Sequence, residues 1–211
     1  MRQVYLGFVF VALIFAGCNF EVNKSIEIGN DEHVQKNLFT VNGSIRIGKR
    51  CQVKGDCRVV NGSITINDDS QARDLNSING KISLGKKVTI RGDAVTINGA
   101  ISSEPGTVIS GDVSSINGEV DLHGTEVGKD IITKSGDVIL RNKSIVRGDI
   151  RVDKSGMIND NSSRLYVNIR LTDDSVVEGD IIVEEKDREV TVDLRGGGKV
   201  LGEIRNAEVL R

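Results

Sequence analysis

The sequence predicts an all-β fold, a parallel β-helix (solenoid) of triangular cross-section with coils of about 18–20 residues. Three observations predict it. An Asn-Gly turn recurs at nearly constant spacing, a Gly-Asp dipeptide recurs inside the same period, and apolar residues match in columns from one period to the next.

The turns fall at Asn42-Gly43, Asn61-Gly62, Asn79-Gly80, Asn98-Gly99 and Asn117-Gly118, separated by 19, 18, 19 and 19 residues. With Ser in place of Asn the series continues at Ser135-Gly136 and Ser155-Gly156, and it extends backwards to Asn23-Lys24. Asn-Gly flanked by alternating apolar residues ordinarily marks a β-hairpin. A fixed period over eight turns marks a repeat architecture instead.

The Gly-Asp dipeptides stand at Gly55, Gly92, Gly111, Gly148 and Gly179. The next turn of the Asn-Gly type follows about six residues later, and the preceding one lies about thirteen back. An up-and-down meander would divide each repeat evenly. The longer part is itself broken by "GKR", "NDD", "GKK" or "EPG", so each repeat reads as three short strands and three corners. About eight such coils at one strand spacing each give a rod roughly 40 Å long.

The columns support stacking. After each Asn-Gly corner the inward positions are Ile45, Ile64, Ile82, Ile101, Val120, Val138 and Ile158, followed by Ile47, Ile66, Leu84, Ser103, Leu122 and Leu140. Between them, outward, run Arg46, Thr65, Ser83, Ser102, Asp121 and Ile139. Alternation within a coil and identity between coils are what an enclosed stack requires. Asn42, Asn61, Asn79, Asn98 and Asn117 are expected to form a ladder of side-chain amides, Asn also tolerating left-handed backbone. Right-handed winding is expected, because parallel crossovers are overwhelmingly right-handed.

Residues 1–17 stand outside this pattern. "MRQVYLGFVFVALIFAGC" carries one basic residue, Arg2, then an apolar run too short to span a membrane, then small residues before Cys18. Phe15-Ala16-Gly17-Cys18 resembles the bacterial lipobox, which implies a lipoprotein signal peptide over 1–17 and lipid attachment at Cys18. Residues 18–22 then form a lipidated N-terminus and short linker, 23–154 the regular coils, and 155–211 irregular closing coils with a C-terminal cap. Asn19 after the Cys, rather than Asp, favours the outer membrane by the sorting pattern of such lipoproteins, if the organism has one.

Composition agrees with a solenoid. The 211 residues include 24 glycines, one proline, no Trp and 3% aromatics, so Ile, Val and Leu must fill the core. A formal net charge of −2 argues against a nucleic-acid partner. In an exported chain Cys51 and Cys57 invite a disulfide, and the alternative is two buried thiols acting as small hydrophobes.

No constellation reads as catalysis, and no cofactor or metal is expected. The only histidines, His33 and His123, are isolated from each other. Ser44, Ser63, Ser83 and Ser102 have no base beside them. Asp56, Asp93, Asp112, Asp149 and Asp180 share one corner, joined by Asp74 and Asp130 in degenerate coils. Stacked carboxylates could draw a cation, but the calcium-binding nonapeptide is absent, so a backbone-bonded turn role is expected. Arg91-Gly92-Asp93 and Arg147-Gly148-Asp149 spell an adhesive tripeptide, as by-products of the Gly-Asp corner.

"VRGDIRV" and "VEGDIIV" at near-coil spacing resemble the bactofilins, polymer-forming cytoskeletal proteins of bacteria, over roughly residues 41–205. "TKSGDVIL" and "SINGEVDL" are similar to the adhesin-type solenoids of bacterial envelopes. The resemblance implies a right-handed β-helix without a nucleotide cofactor, capable of end-to-end assembly. The expected function is therefore a non-enzymatic, lipid-anchored envelope solenoid with a structural or self-assembling role. Its expected partners are the membrane and further copies of itself. The alternative is a binding module whose flat face recognises polysaccharide, peptidoglycan or a protein.

Overall fold

The structure, a computed structural model, describes residues 18–154, 166–186 and 188–211. The chain winds as a three-sided parallel β-solenoid. The first coil is β1 (Cys18–Val22), β2 (Ile26–Ile28) and β3 (His33–Val34), and the last strands are β27 (Lys199–Val200), β28 (Ile204–Arg205) and β29 (Glu208–Leu210). Every third strand joins the same sheet: face A holds ten strands from β1 to β28, face B ten from β2 to β29, and face C nine from β3 to β27. All paired strands run parallel, one coil apart. Nine complete turns and the start of a tenth are present rather than eight, a rod about 43 Å long at ~4.8 Å per coil.

Two segments account for the extra turns. Residues 18–22, expected as a linker, are β1, paired in register with β4 (Asn37–Val41). The C-terminal stretch continues all three sheets, face B through the long strands β23 (Tyr166–Thr172) and β26 (Glu189–Gly196), and no separate cap covers β27–β29 among the described residues.

The core is one stack of columns. Ile45, Ile64, Ile82, Ile101, Val120 and Val138 are direct neighbours along face B. The next member is Ile169, not Ile158, because an insertion lengthens this turn to 31 residues, where the turn before it spans 18 and the one after it 23. Ser155, Gly156 and Ile158 fall in that insertion, outside the described residues. Shorter repeats lose a residue at a corner and keep their strands in register. Ala72 and Leu75 are three positions apart where Val53 and Cys57 are four, and Leu122 and Val127 five where Leu84 and Ile90 are six. Each strand must present its alternate residues to the core, whereas a corner tolerates a deletion.

Candidate functional site: three corner ladders and an apolar face

The A-to-B corner carries the asparagines. Asn42 donates its amide to Oδ1 of Asn23 at 2.9 Å, Asn61 to Asn42 at 2.7 Å, and Asn79, Asn98 and Asn117 each to the one before at 2.8 Å. Ser135 Oγ closes the series on Asn117 at 2.9 Å. Of these asparagines only Asn23 and Asn42 have left-handed backbone, both with φ 56°. Elsewhere the amide is selected for the ladder and not for its φ. The glycines are required by close stacking: a Cβ on Gly62 would lie 1.9 Å from the carbonyl oxygen of Gly43, and one on Gly80 1.9 Å from that of Gly62. Buried hydroxyls beneath the corner bond these carbonyls. Ser77 donates to Gly62 O at 3.3 Å, Thr96 to Gly80 O at 3.1 Å and Ser115 to Gly99 O at 3.0 Å.

The C-to-A corner carries the aspartates. Oδ1 of Asp74 accepts the backbone N–H of Asp93 at 3.0 Å, Asp93 that of Asp112, Asp112 that of Asp130, Asp130 that of Asp149, and Asp149 that of Asp180. Asp180 accepts from Glu203. Each carboxylate therefore reaches one coil forward across the residue before the next aspartate. Except at Lys129 before Asp130, that residue is glycine, which leaves the path open, since a Cβ on Gly111 would sit 2.0 Å from Asp93 Oδ1. In the Ala72–Leu75 coil that glycine is deleted. Asp56, only 6% exposed, turns instead to Arg58 at 3.0 Å and Arg73 at 3.3 Å. These carboxylates serve as acceptors within the corner. Among the described residues no three His, Cys, Asp or Glu side chains come together as a metal site.

The B-to-C corner alternates in charge over the first four coils. Arg50 pairs with Asp31 through two bonds of 2.6 and 2.7 Å, and Lys49 with Asp68 at 2.8 Å. The guanidinium of Arg50 holds the Asp31 carboxyl below its usual range, and Lys49, with the Lys86 N–H, does the same for Asp68. Asp31, Arg50, Asp69 and Lys87 all take positive φ there, between 55° and 65°.

Both arginines of the Arg-Gly-Asp tripeptides are engaged. Arg91 donates to Gln71 at 2.9 Å, and Arg147 pairs with Glu126 and Glu178. His123 meets Glu104 at 3.8 Å beside Gly124, where the corner is one residue short. Cys51 and Cys57 are fully buried and unbridged, which leaves the buried-thiol alternative and not the disulfide. Cys51 Sγ donates to Gly29 O at 2.8 Å, and burial, with Asp56 adjacent, pushes the Cys57 thiol up to about 12. Cys18 opens β1, so anything joined to it meets the first coil of face A directly.

One surface feature escaped sequence reasoning. The residue before each Asn of the ladder points outward from face A: Val22, Val41, Val60, Ile78, Ile97 and Ile116. Val22 is 51% exposed, Ile78 43% and Ile97 38%. The signal was visible as Val or Ile preceding every ladder asparagine, but a turn-adjacent apolar residue reads naturally as core. No helix of the described residues is long and apolar enough to cross a membrane. The chain matches no protein-family model, no curated protein and no solved structure.

Proposed function

We propose that the chain is a non-enzymatic, lipid-anchored β-solenoid of the bacterial cell envelope with a structural role, associating with itself through its end coils. The observation that carries this reading is the C-terminal end of the rod. There β27, β28 and β29 finish the three sheets with no described element laid over them. Leu201 is 67% exposed, and Ile204, Ala207, Val209 and Leu210 are only half-buried. An open row of backbone donors and acceptors beside apolar side chains is a template for pairing with another chain. The resemblance of the Gly-Asp-Ile units to bactofilins points the same way, as does the lipobox-like sequence ending at Cys18 for the anchor. A structural role also suits the stacked corner carboxylates, which accept backbone amides of the following coil.

The test is light scattering and negative-stain electron microscopy of the chain without residues 1–17, over a concentration series. Filaments one rod wide are expected, and Leu201→Glu with Ile204→Lys should return them to single rods. Single rods of the unaltered chain at every concentration would remove self-association as the function.

A further inference from the structure

The apolar ridge of face A is the largest departure from an ordinary solenoid surface. Val22, Val41, Val60, Ile78, Ile97 and Ile116 stack at strand spacing over about 24 Å. The neighbouring outward column on the same face adds Phe39, Val95 and Ile132. From β4 to β19 (Ile131–Thr133) the two outward columns carry two cations, Arg58 and Lys134, with Asp56, Asp74, Asp93, Asp112 and Asp130 confined to the edge of the face at the C-to-A corner. The equivalent positions of face B include Glu27, Arg46 and Asp121, and those of face C include His33, Gln71 and Glu126.

Contiguous exposed apolar surface of this kind marks a contact with protein or membrane. One observation selects the membrane. The first described residue, Cys18, begins β1 on face A, and the sequence before it is the apolar run from Val4 to Ala16. Whatever that N-terminal region contributes to anchoring is delivered to the end of this face. Against such a surface, lipid headgroup phosphates accept the Lys134 ammonium, while its aliphatic stem and the Val and Ile side chains lie towards the acyl boundary.

We propose that face A is a bilayer-contacting surface, so that the rod lies along the membrane instead of standing on it. This rests on the anchored reading of Cys18, because a tethered rod needs little intrinsic affinity for a flat face to settle. Lying flat also turns the open C-terminal edge into the membrane plane, where copies meet end to end in two dimensions.

The test uses the full chain purified from membranes and returned to vesicles of phosphatidylethanolamine and phosphatidylglycerol. Spin labels go on one outward residue per face, in Ile97→Cys, Ser102→Cys and Val108→Cys, the native Cys51 and Cys57 being fully buried. The label on face A is expected to be relaxed by dissolved oxygen and shielded from aqueous nickel, and the other two the reverse. Adding Ile78→Asp and Ile116→Asp should return the face A label to water, with the strand circular dichroism unchanged.

A face A label as open to nickel as the face B label would overturn the proposal. So would one shielded from both reagents, with spin–spin broadening that vanishes on dilution with unlabelled chain, since that is a second copy. The mass of the N-terminal peptide reads the anchor separately. An unacylated chain with face A in lipid overturns the anchor alone, and an acylated chain with all labels in water overturns the face alone.

Discussion

At the scale of single residues, each corner position has a distinct physical demand. Asn79 both donates to Asn61 and accepts from Asn98. Asn79→Ala removes two exposed hydrogen bonds, with an expected loss of about 1–2 kcal/mol by urea denaturation. Asn79→Asp can still accept from Asn98 but cannot donate to Asn61 while ionised. Facing that carbonyl oxygen, the introduced carboxyl has its folded pKa raised above the ordinary value of about 3.9. Its penalty relative to the parent is therefore full at neutral pH and shrinks as pH falls through that raised pKa, a sign opposite to that of the native carboxylates. Lys87 holds φ 55° without being glycine. Lys87→Gly should stabilise the chain by about 0.5–1 kcal/mol, the left-handed strain relieved less the entropy of a freer unfolded residue. Gly99→Ala should do the reverse, by about 3 kcal/mol or more, since its Cβ would fall 2.2 Å from Gly80 O.

At the scale of the corners and faces, charge pairs tie coil to coil. Between coils, Asp31 and Asp68 are lowered by Arg50 and Lys49, and within one strand Arg195 lowers the Asp193 carboxyl to about 2. Carboxyls depressed on folding contribute stability that is whole above their unfolded pKa near 4 and is lost as pH falls towards their folded values. The urea midpoint should accordingly fall between about pH 4 and pH 2. The slope should flatten in Arg195→Ala and again in molar salt, because these pairs are exposed and screened. A midpoint independent of salt across that range would show that the pairs add nothing.

At the scale of the whole rod, each coil touches only its neighbours, so stability is close to a sum of coil and interface terms. The last coil has one neighbour and half-buried apolar residues; the middle coils have two and a sealed core. Amide hydrogen exchange should be slowest in the strands around Ile82, Ile101 and Val120 and fastest in β27–β29 of the isolated rod. Assembly through the ends would slow exchange in β27–β29 alone. Uniform protection along the rod would contradict the nearest-neighbour picture. Ile101→Ala, at a fully buried position, should cost about 2–5 kcal/mol and raise exchange in the coils on either side first.

What the sequence by itself determined is the coil. Asn-Gly at one corner, Gly-Asp at another and alternate Ile and Val between them are local signals, and repetition made them readable: the same residue one strand spacing away must stack on its copy. The amide ladder from Asn42 to Asn117 follows from that repetition. Only the tertiary structure decided what depends on accumulated register or on reach between coils. It placed Ile169 where Ile158 was expected, because an insertion within a repeat leaves no periodic trace. It sent each corner carboxylate to the amide of the following coil, a bond whose partners lie 18 to 31 residues apart. It kept Cys51 and Cys57 unbridged, set left-handed backbone on Arg50 and Lys87 against their own preference, and laid no described element over the last three strands. A repeat encodes its own neighbours; its ends and outer faces have no such partner in the sequence, so only the stacked molecule shows which of them remain for others to meet.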